Sequence, residues 1–538
     1  MRNSLPGMAL AILIAMTLSA HAVPVATSDG PVEGLAKSGI TQFLGIPYAA
    51  PPVGALRWMP PRAPAKWTTV RQATKFGPTC AQVTTLGPFA GPANSNEDCL
   101  YLNVFTPDST KKLPVLVWIH GGGYIDGESN DYDAARLAAR GKLVVVTLNY
   151  RLNLFGFLAH PALDAESHAF GNYGILDMQA ALKWVQQNIT AFGGDPKNVT
   201  LGGQSAGAGA AAANVVSPGA AGLFHRAIFQ SGGYTPFADR ALAEERGGKF
   251  AAAAGCTSSN VAKCLRTLAA TKIAALAGTA STASAFAGSP MVDGTVIPLQ
   301  TIDAARAGKL NTMPIMMGTT RDEGNFNAGI AQYFKKDRAA LTDVDYHGYV
   351  EKNVGGNAGP GGGPPAFAKG TVDAVLTRYR PEKLGGAQMA WDTAHSDQIA
   401  CRGHYMAAVL APHAPVYVYL FDDRTAPSYF PPMPGYQPLA YHTSDLLYLF
   451  IGFHGGPDGR PVRLDTKQRA LSDRMIDAWA DFARTGNPNG AGNTPWPRWR
   501  KDGPAYLLQD NAWAHTQSDA EFATTHQCSF WNSILLYR

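Results

Sequence analysis

The 538-residue chain is short of charge: Asp, Glu, Lys and Arg make up only 16% of it, and 45 basic residues against 40 acidic ones leave a net charge of +5. No block of like charges occurs, which excludes a nucleic-acid-binding arm or a membrane-binding tail. Past the N-terminus no apolar run reaches the ~18 residues of a spanning helix, so no membrane anchor is expected. There is no internal repeat and no long polar linker, which argues against a repeat array or a string of separate domains. Cysteine is scarce as well. None of the six precedes Cys80, so nothing near the N-terminus can carry a lipid. The absence of C-x-x-C or clustered Cys/His spacing excludes the usual zinc signatures.

What is present begins with the first 22 residues. Arg2 supplies a positive start, residues 8–18 are apolar, and Ala20-His21-Ala22 is a small-x-small cleavage site. This is the anatomy of a secretory signal peptide, removed before Val23. The mature chain, 23–538, is then expected in the periplasm or outside the cell, as a single domain. An even cysteine count in such a compartment predicts three disulfides, although spacing alone permits 15 pairings.

Residues 115–119 and 143–148 are short β-branched runs of the kind that fill central parallel strands. Residues 177–190 read as a helix, with Met178, Ala181, Leu182, Val185 and Ile189 on one face and Phe192-Gly193-Gly194-Asp195-Pro196 as its stop. Further strands are predicted at 226–230, 313–318 and 416–421. Strands alternating with helices specify an α/β chain with a mostly parallel, doubly wound sheet covered on both faces. Two stretches interrupt the rhythm. Residues 274–289 are rich in Ala, Ser and Thr, and residues 354–365 are almost all Gly, Pro, Asn and Ala; both predict mobile loops, the second a surface insertion or lid margin.

The chemistry centres on Gly203-Gln204-Ser205-Ala206-Gly207, which follows the apolar run 199–201 and precedes an alanine-rich helical stretch. Strand, tight turn, serine and helix form the layout of a nucleophile elbow, in which glycines permit a sharp turn. A serine hydroxyl also needs a base, a carboxylate to orient it and donors for an oxyanion. His120-Gly121-Gly122-Gly123, directly after the 115–119 strand, fits the donor loop. Gly122 and Gly123, without side chains, can bring their N–H groups against a substrate, and Ala206 should supply a third donor.

Longer motifs run almost end to end. They include Phe43-Leu44-Gly45-Ile46-Pro47-Tyr48-Ala49, Pro51-Pro52-Val53-Gly54, Glu97-Asp98-Cys99-Leu100-Tyr101-Leu102-Asn103-Val104, Asn149-Tyr150-Arg151-Leu152-Asn153 and Gly171-Asn172-Tyr173-Gly174. On these motifs the chain resembles the type-B carboxylesterase family, which includes the cholinesterases. The resemblance implies the α/β-hydrolase fold with lid and gorge insertions. It places the acid at Glu323 in Asp322-Glu323-Gly324, with Asp322 its nearest rival. It places the base at His442 in Tyr441-His442-Thr443-Ser444-Asp445-Leu446. Thirteen histidines are present, and the local competitor His454 has a Gly-rich context that matches no family motif. The resemblance also implies disulfides Cys80–Cys99, Cys256–Cys264 and Cys401–Cys528, and buried pairs of Arg57 with Glu97 and Arg151 with Asp177.

These expectations describe a serine carboxylic-ester hydrolase with a Ser205-Glu323-His442 triad, no metal and no cofactor. Its partner is a small-molecule ester rather than a nucleic acid, and nothing specifies an oligomeric state. The loop 81–98 lacks the Trp with which cholinesterases hold quaternary ammonium, and Gln204 stands where they carry Glu, so neutral or anionic esters, bulky ones included, are expected over choline esters. Side-chain esters of natural products or toxins fall within that class. Two alternatives belong to other classes: a catalytically silent adhesion or binding protein of the same fold, and a lipase.

Overall fold

The computed structural model describes residues 20–536, apart from Pro88, Ala90, Thr110, Phe170, Ser258, 278–287, 356–366, Lys369, Pro457 and Trp513. Most of the expected leader and most of the Gly/Pro-rich segment lie outside the described residues. Among the described residues, twelve strands build one sheet: β1 (Ala20–His21), β2 (Leu35–Lys37), β3 (Ile40–Pro47), β4 (Tyr101–Pro107), β5 (Leu113–Ile119), β6 (Val144–Leu148), β7 (Gly194–Gln204), β8 (Arg226–Gln230), β9 (Ile315–Thr320), β10 (Val416–Phe421), β11 (Pro504–Gln509) and β12 (His515–Ser518). Their order across the sheet is β1-β2-β3-β4-β6-β5-β7-β8-β9-β10-β11-β12.

The central strands, β6 to β11, pair in parallel as the sequence pattern predicts. Both flanks are antiparallel. On the first flank, β2 and β3 are joined by the two-residue turn Ser38-Gly39, with φ of 53° and 76°. Two consecutive positive φ values match the right-handed twist of a hairpin.

Side chains along the buried strands alternate between two cores. Val115, Val117 and Ile119 of β5 face one cluster, while Leu116 and Trp118 face the other. The first is covered by α1 (Tyr173–Asn188), α2 (Ala206–Val216) and part of the 24-residue α4 (Ala387–Leu410); α3 (Gly324–Tyr333) precedes α4 in the chain. The second is covered by α5 (Thr466–Thr485), through Leu471, Met475, Ile476, Trp479 and Phe482. Fully buried strands need no polar face, which is why 115–119 and 416–421 read as uninterrupted apolar runs.

Several boundaries differ from the sequence reading. Helix α1 starts at Tyr173, four residues early, because Tyr173, Gly174 and Ile175 are themselves buried. Strand β9 is displaced to Ile315–Thr320, since Pro314 has no N–H for the ladder. The stretch predicted as a loop from 274 begins instead inside a helix, Ala270–Ala277, whose Ile273, Ala274 and Ala277 pack against Cys256 and Leu265. Alanine and leucine favour helix strongly enough to outweigh the loop-like composition that follows.

The disulfides join Cys80 to Cys99, Cys256 to Cys264 and Cys401 to Cys528. Asp177, fully buried, accepts from Arg151 Nε (2.8 Å), Nη2 (2.7 Å) and backbone N–H (3.1 Å). Arg57 makes the corresponding fork with Glu97. Among the described residues no helix is long and apolar enough to cross a membrane.

Candidate active site

Parallel strands send the loops that follow their C-terminal ends to the same edge of the sheet. Ile119 at the end of β5 leads into the His120–Gly123 loop, Gln204 of β7 into Ser205, Gln230 of β8 into Ser231, and Thr320 of β9 into Glu323. These segments, with His442, border a cavity of about 280 Å³ lined by Ser205, Ala206, Gly123, Glu323 and His442.

Ser205 is the N-cap of α2, with φ 58° and ψ −124°. A side-chain-bearing residue rarely adopts that conformation, and it is held by Ser205 N–H donating to Gln230 O (2.8 Å) and Gly209 N–H donating to Ser205 O (3.0 Å). The flanking glycines contribute clearance rather than a left-handed turn. A Cβ on Gly203 would lie 2.4 Å from the Gly207 carbonyl carbon, and one on Gly207 would lie 2.1 Å from Ile119 O. The sequence reading assigned the sharp turn to the glycines; the structure assigns it to the serine.

The donor loop does use its glycines conformationally. Gly122 and Gly123 have φ of 105° and 62°, and a Cβ on Gly122 would fall 1.8 Å from Asp126 O. Asp126 in turn anchors the loop by accepting from Thr85 N–H at 2.7 Å. Among the described residues the N–H groups of Gly122, Gly123 and Ala206 have no hydrogen-bond partner, which leaves them free to receive an anionic oxygen. His120 is buried and stacked on Tyr150, and burial pushes its imidazole down to about 4, so it stays neutral.

Glu323 is 2% exposed. Its carboxylate accepts from Thr320 N–H (2.8 Å) and binds His442 Nδ1 in a short contact. Burial alone would raise its pKa. The charge and hydrogen bond of His442, together with the Ser231 hydroxyl and the Thr320 N–H, outweigh that and leave it below the usual value. Glu323 therefore stays ionised beside the imidazole. The other face of the ring meets Gln204, whose amide nitrogen is 3.1 Å from His442 Nε2. Among the described residues no hydrogen bond joins Ser205 Oγ to the imidazole, although both border the cavity.

The rival Asp322 has a different task. It accepts from Arg424 Nε and Nη2 at 3.0 Å each and from Ala440 N–H at 3.1 Å, and its own N–H donates to Ala440 O. It thus pins the strand-like segment that delivers His442 two residues later. His454 contacts Asp131 (3.4 Å) and Gly456 O and is not among the cavity residues. Sequence reasoning missed Gln204 as a neighbour of His442, and it missed the walls formed by Tyr124, residues 231–237, Asn327, His395 and Gln398. The walls come from separate segments, none of which carries a motif. Among the described residues no three His, Cys, Asp or Glu side chains are grouped to hold a metal.

The model of the carboxylesterase family matches residues 21–531. The chain belongs to that family. Among its carboxylesterase relatives, the para-nitrobenzyl esterase of Bacillus subtilis (strain 168) is 33% identical over 501 residues, covering 90% of this chain and 94% of that protein. The fumonisin B1 esterase of Sphingopyxis macrogoltabida is 34% identical over 521 residues, covering 92% and 90%. A solved PNB esterase superposes with a TM-score of 0.77 at 31% identity, covering 94% of this chain and 99% of the other. The sheet and its flanking helices are accordingly those of the α/β-hydrolase fold.

Proposed function

We propose that this protein is a serine carboxylic-ester hydrolase in which Ser205 is the nucleophile, His442 the base and Glu323 the acid that orients it. The observation that carries the reading is the pair of Glu323 carboxylate and His442 Nδ1 opening into the same cavity as a serine held at φ 58°. With Nδ1–H committed to Glu323, Nε2 has the free lone pair. The Gln204 amide nitrogen, 3.1 Å from Nε2 and 3.5 Å from Nδ1, lies over the face of the ring, so the in-plane lone pair is left for the Ser205 hydroxyl. His442 then takes the seryl proton as Oγ attacks the ester carbonyl, and returns it to the leaving alcohol. Glu323 offsets the charge of the imidazolium, and Gly122, Gly123 and Ala206 donate to the oxyanion. Water deprotonated by the same imidazole releases the acid from the acyl-enzyme. Each oxyanion donor contributes about 3 kcal/mol in comparable sites.

The substrate is an uncharged or anionic ester. The cavity is lined largely by apolar and neutral groups, among them Leu86, Tyr124, Phe237 and Phe326, and the one acid among its described residues, Glu323, is matched by His442. Three disulfides suit an oxidising compartment, and with the N-terminal leader they support export. Cleavage before Val23 would remove the two-residue β1 and leave β2 at the sheet's edge. We read 23–538 as one folding unit, since the sheet draws strands from both ends of it.

A fluorophosphonate probe tests the assignment. Its mass should appear on the peptide containing Ser205 and nowhere else, and Ser205→Ala should lose p-nitrophenyl ester hydrolysis. Labelling at another serine, or full activity in the mutant, would discard the triad.

A further inference from the structure

Directly after Glu323, the N–H groups of Gly324 and Asn325 donate to the side chains of Ser396 and Asp392 on α4, at 3.0 Å each. The packing is close, as a Cβ on Gly324 would lie 2.7 Å from Asp392 Cα. Helix α4 is thereby fixed to the start of α3. Its next face lines the cavity with His395, Gln398 and Ile399, at the three- and four-residue spacing that keeps side chains together on a helix.

The polar groups on this face differ in how they are used. His395 is committed within the protein: the Tyr349 hydroxyl bonds its Nδ1, and Asn327 Nδ2 lies 3.2 Å from its Nε2. Burial pushes its imidazole down to about 4, so the ring carries no charge at neutral pH. Gln398 is not committed. It is 3% exposed, and among the described residues its amide has no hydrogen-bond partner. Neither amide atom is closed off, in contrast to the Tyr234 hydroxyl of the same cavity wall, and the space onto which they open is the cavity.

An almost buried amide without a partner is costly unless something in the cavity completes it. Among the described residues no Lys or Arg lines the cavity, and Glu323 is already matched by His442, so the wall holds no free charge to recognise an ion. A hydroxyl both donates and accepts, and therefore answers the amide whichever way it is turned. We infer that Gln398 is a specificity-determining residue whose amide binds a hydroxyl carried by the ester away from the scissile bond. The preferred substrate is then an ester of a hydroxy acid or of a diol rather than of a plain alkyl chain. A methyl group in place of that hydroxyl leaves the amide unpaired, and sites built to hydrogen-bond a substrate discriminate best against such analogues. The inference rests on the esterase reading and narrows its substrate.

The full-length protein should be assayed on two series of esters. One is the p-nitrophenyl ω-hydroxyalkanoates from hydroxyhexanoate to hydroxydecanoate; the other is the butyrate monoesters of α,ω-diols of the same lengths. Each ester is paired with the one that carries methyl in place of the hydroxyl, and the readout is the hydroxyl-to-methyl ratio of kcat/KM. In one series, acyl or alcohol, the wild-type ratio should peak at one chain length. Gln398→Leu should lower that peak by about fivefold or more, the size of one neutral hydrogen bond, while moving the methyl esters by less than about threefold. Gln398→Asn should keep a peak but shift it to a chain about one methylene longer, because its amide is withdrawn by that much; this variant carries the test should Gln398→Leu not fold. A wild-type ratio without a peak, a peak that both variants leave in place, or an equal loss on both members of each pair overturns the subsite and leaves the esterase reading standing. Turnover of none of these esters overturns the esterase reading itself.

Discussion

Adjacent carboxylates at 322 and 323 offer a sharp test of the proposed chemistry, because the structure gives them different tasks. Glu323→Gln keeps an oxygen to accept from Thr320 N–H but removes the charge facing His442. A carboxylate and an imidazolium ~4 Å apart interact by about 4 kcal/mol at an effective dielectric of ~20. Losing that in the transition state corresponds to about a thousandfold in rate. The expected result is kcat lower by roughly three orders of magnitude with KM little changed. The melting temperature should change little, since the amide is cheaper to bury but gives up the His442 charge and hydrogen bond that hold the carboxylate below its usual pKa. Asp322→Asn should do the reverse. It weakens the bonds to Arg424 and Ala440, a loss of about 2 kcal/mol, or about 2 °C for a chain this long. It should retain kcat within about tenfold. Steady-state kinetics on p-nitrophenyl butyrate and a thermal melt of each variant are sufficient. If Glu323→Gln kept more than a tenth of wild-type kcat, or a folded Asp322→Asn were as inactive, the roles assigned here would be wrong.

Asp177→Asn should cost roughly 3–5 kcal/mol by leaving Arg151 buried without its counter-charge, and the double change Asp177→Leu/Arg151→Met should recover much of it; denaturant titration decides, and unchanged stability of the single variant would count against the pair. Stability should also fall between about pH 4 and 7. Burial raises Asp126, Glu128 and Asp131 to about 7, so the folded state holds protons that the unfolded chain releases, and ∂ΔG/∂pH is negative across that window and flat above it. Asp131→Asn should make this slope shallower; an identical slope in melts at pH 5 and 8 refutes the assignment. Finally, butyrylcholine should show no kcat/KM advantage over a neutral butyrate ester of similar bulk and leaving-group pKa, because no described acid other than Glu323 lines the cavity. A tenfold preference for the choline ester would reveal a cation site elsewhere in the gorge.

Where a signal repeats along the chain, the sequence alone determined the structure. Burial on both faces makes β10 a continuous apolar run and gives β8 the apolar centre Ala227-Ile228-Phe229, so their bounds at 416–421 and 226–230 could be read directly. The elbow and the glycine loop were equally legible, since each packs its signature into about five residues. His442 was not legible in this way, because thirteen histidines compete and only resemblance singled it out. Resemblance singled out Glu323 over Asp322, and the tertiary structure brings that carboxylate to the imidazole; the tertiary structure alone decided that Gln204 lies against the ring, and that the positive φ belongs to Ser205 while Gly203 and Gly207 supply clearance. It also decided the cavity walls, drawn from segments as far apart as Leu86 and His442. Periodicity and turn chemistry act between near neighbours in the chain. Which loops meet above the sheet depends on strand order, and strand order is settled only when the two cores close.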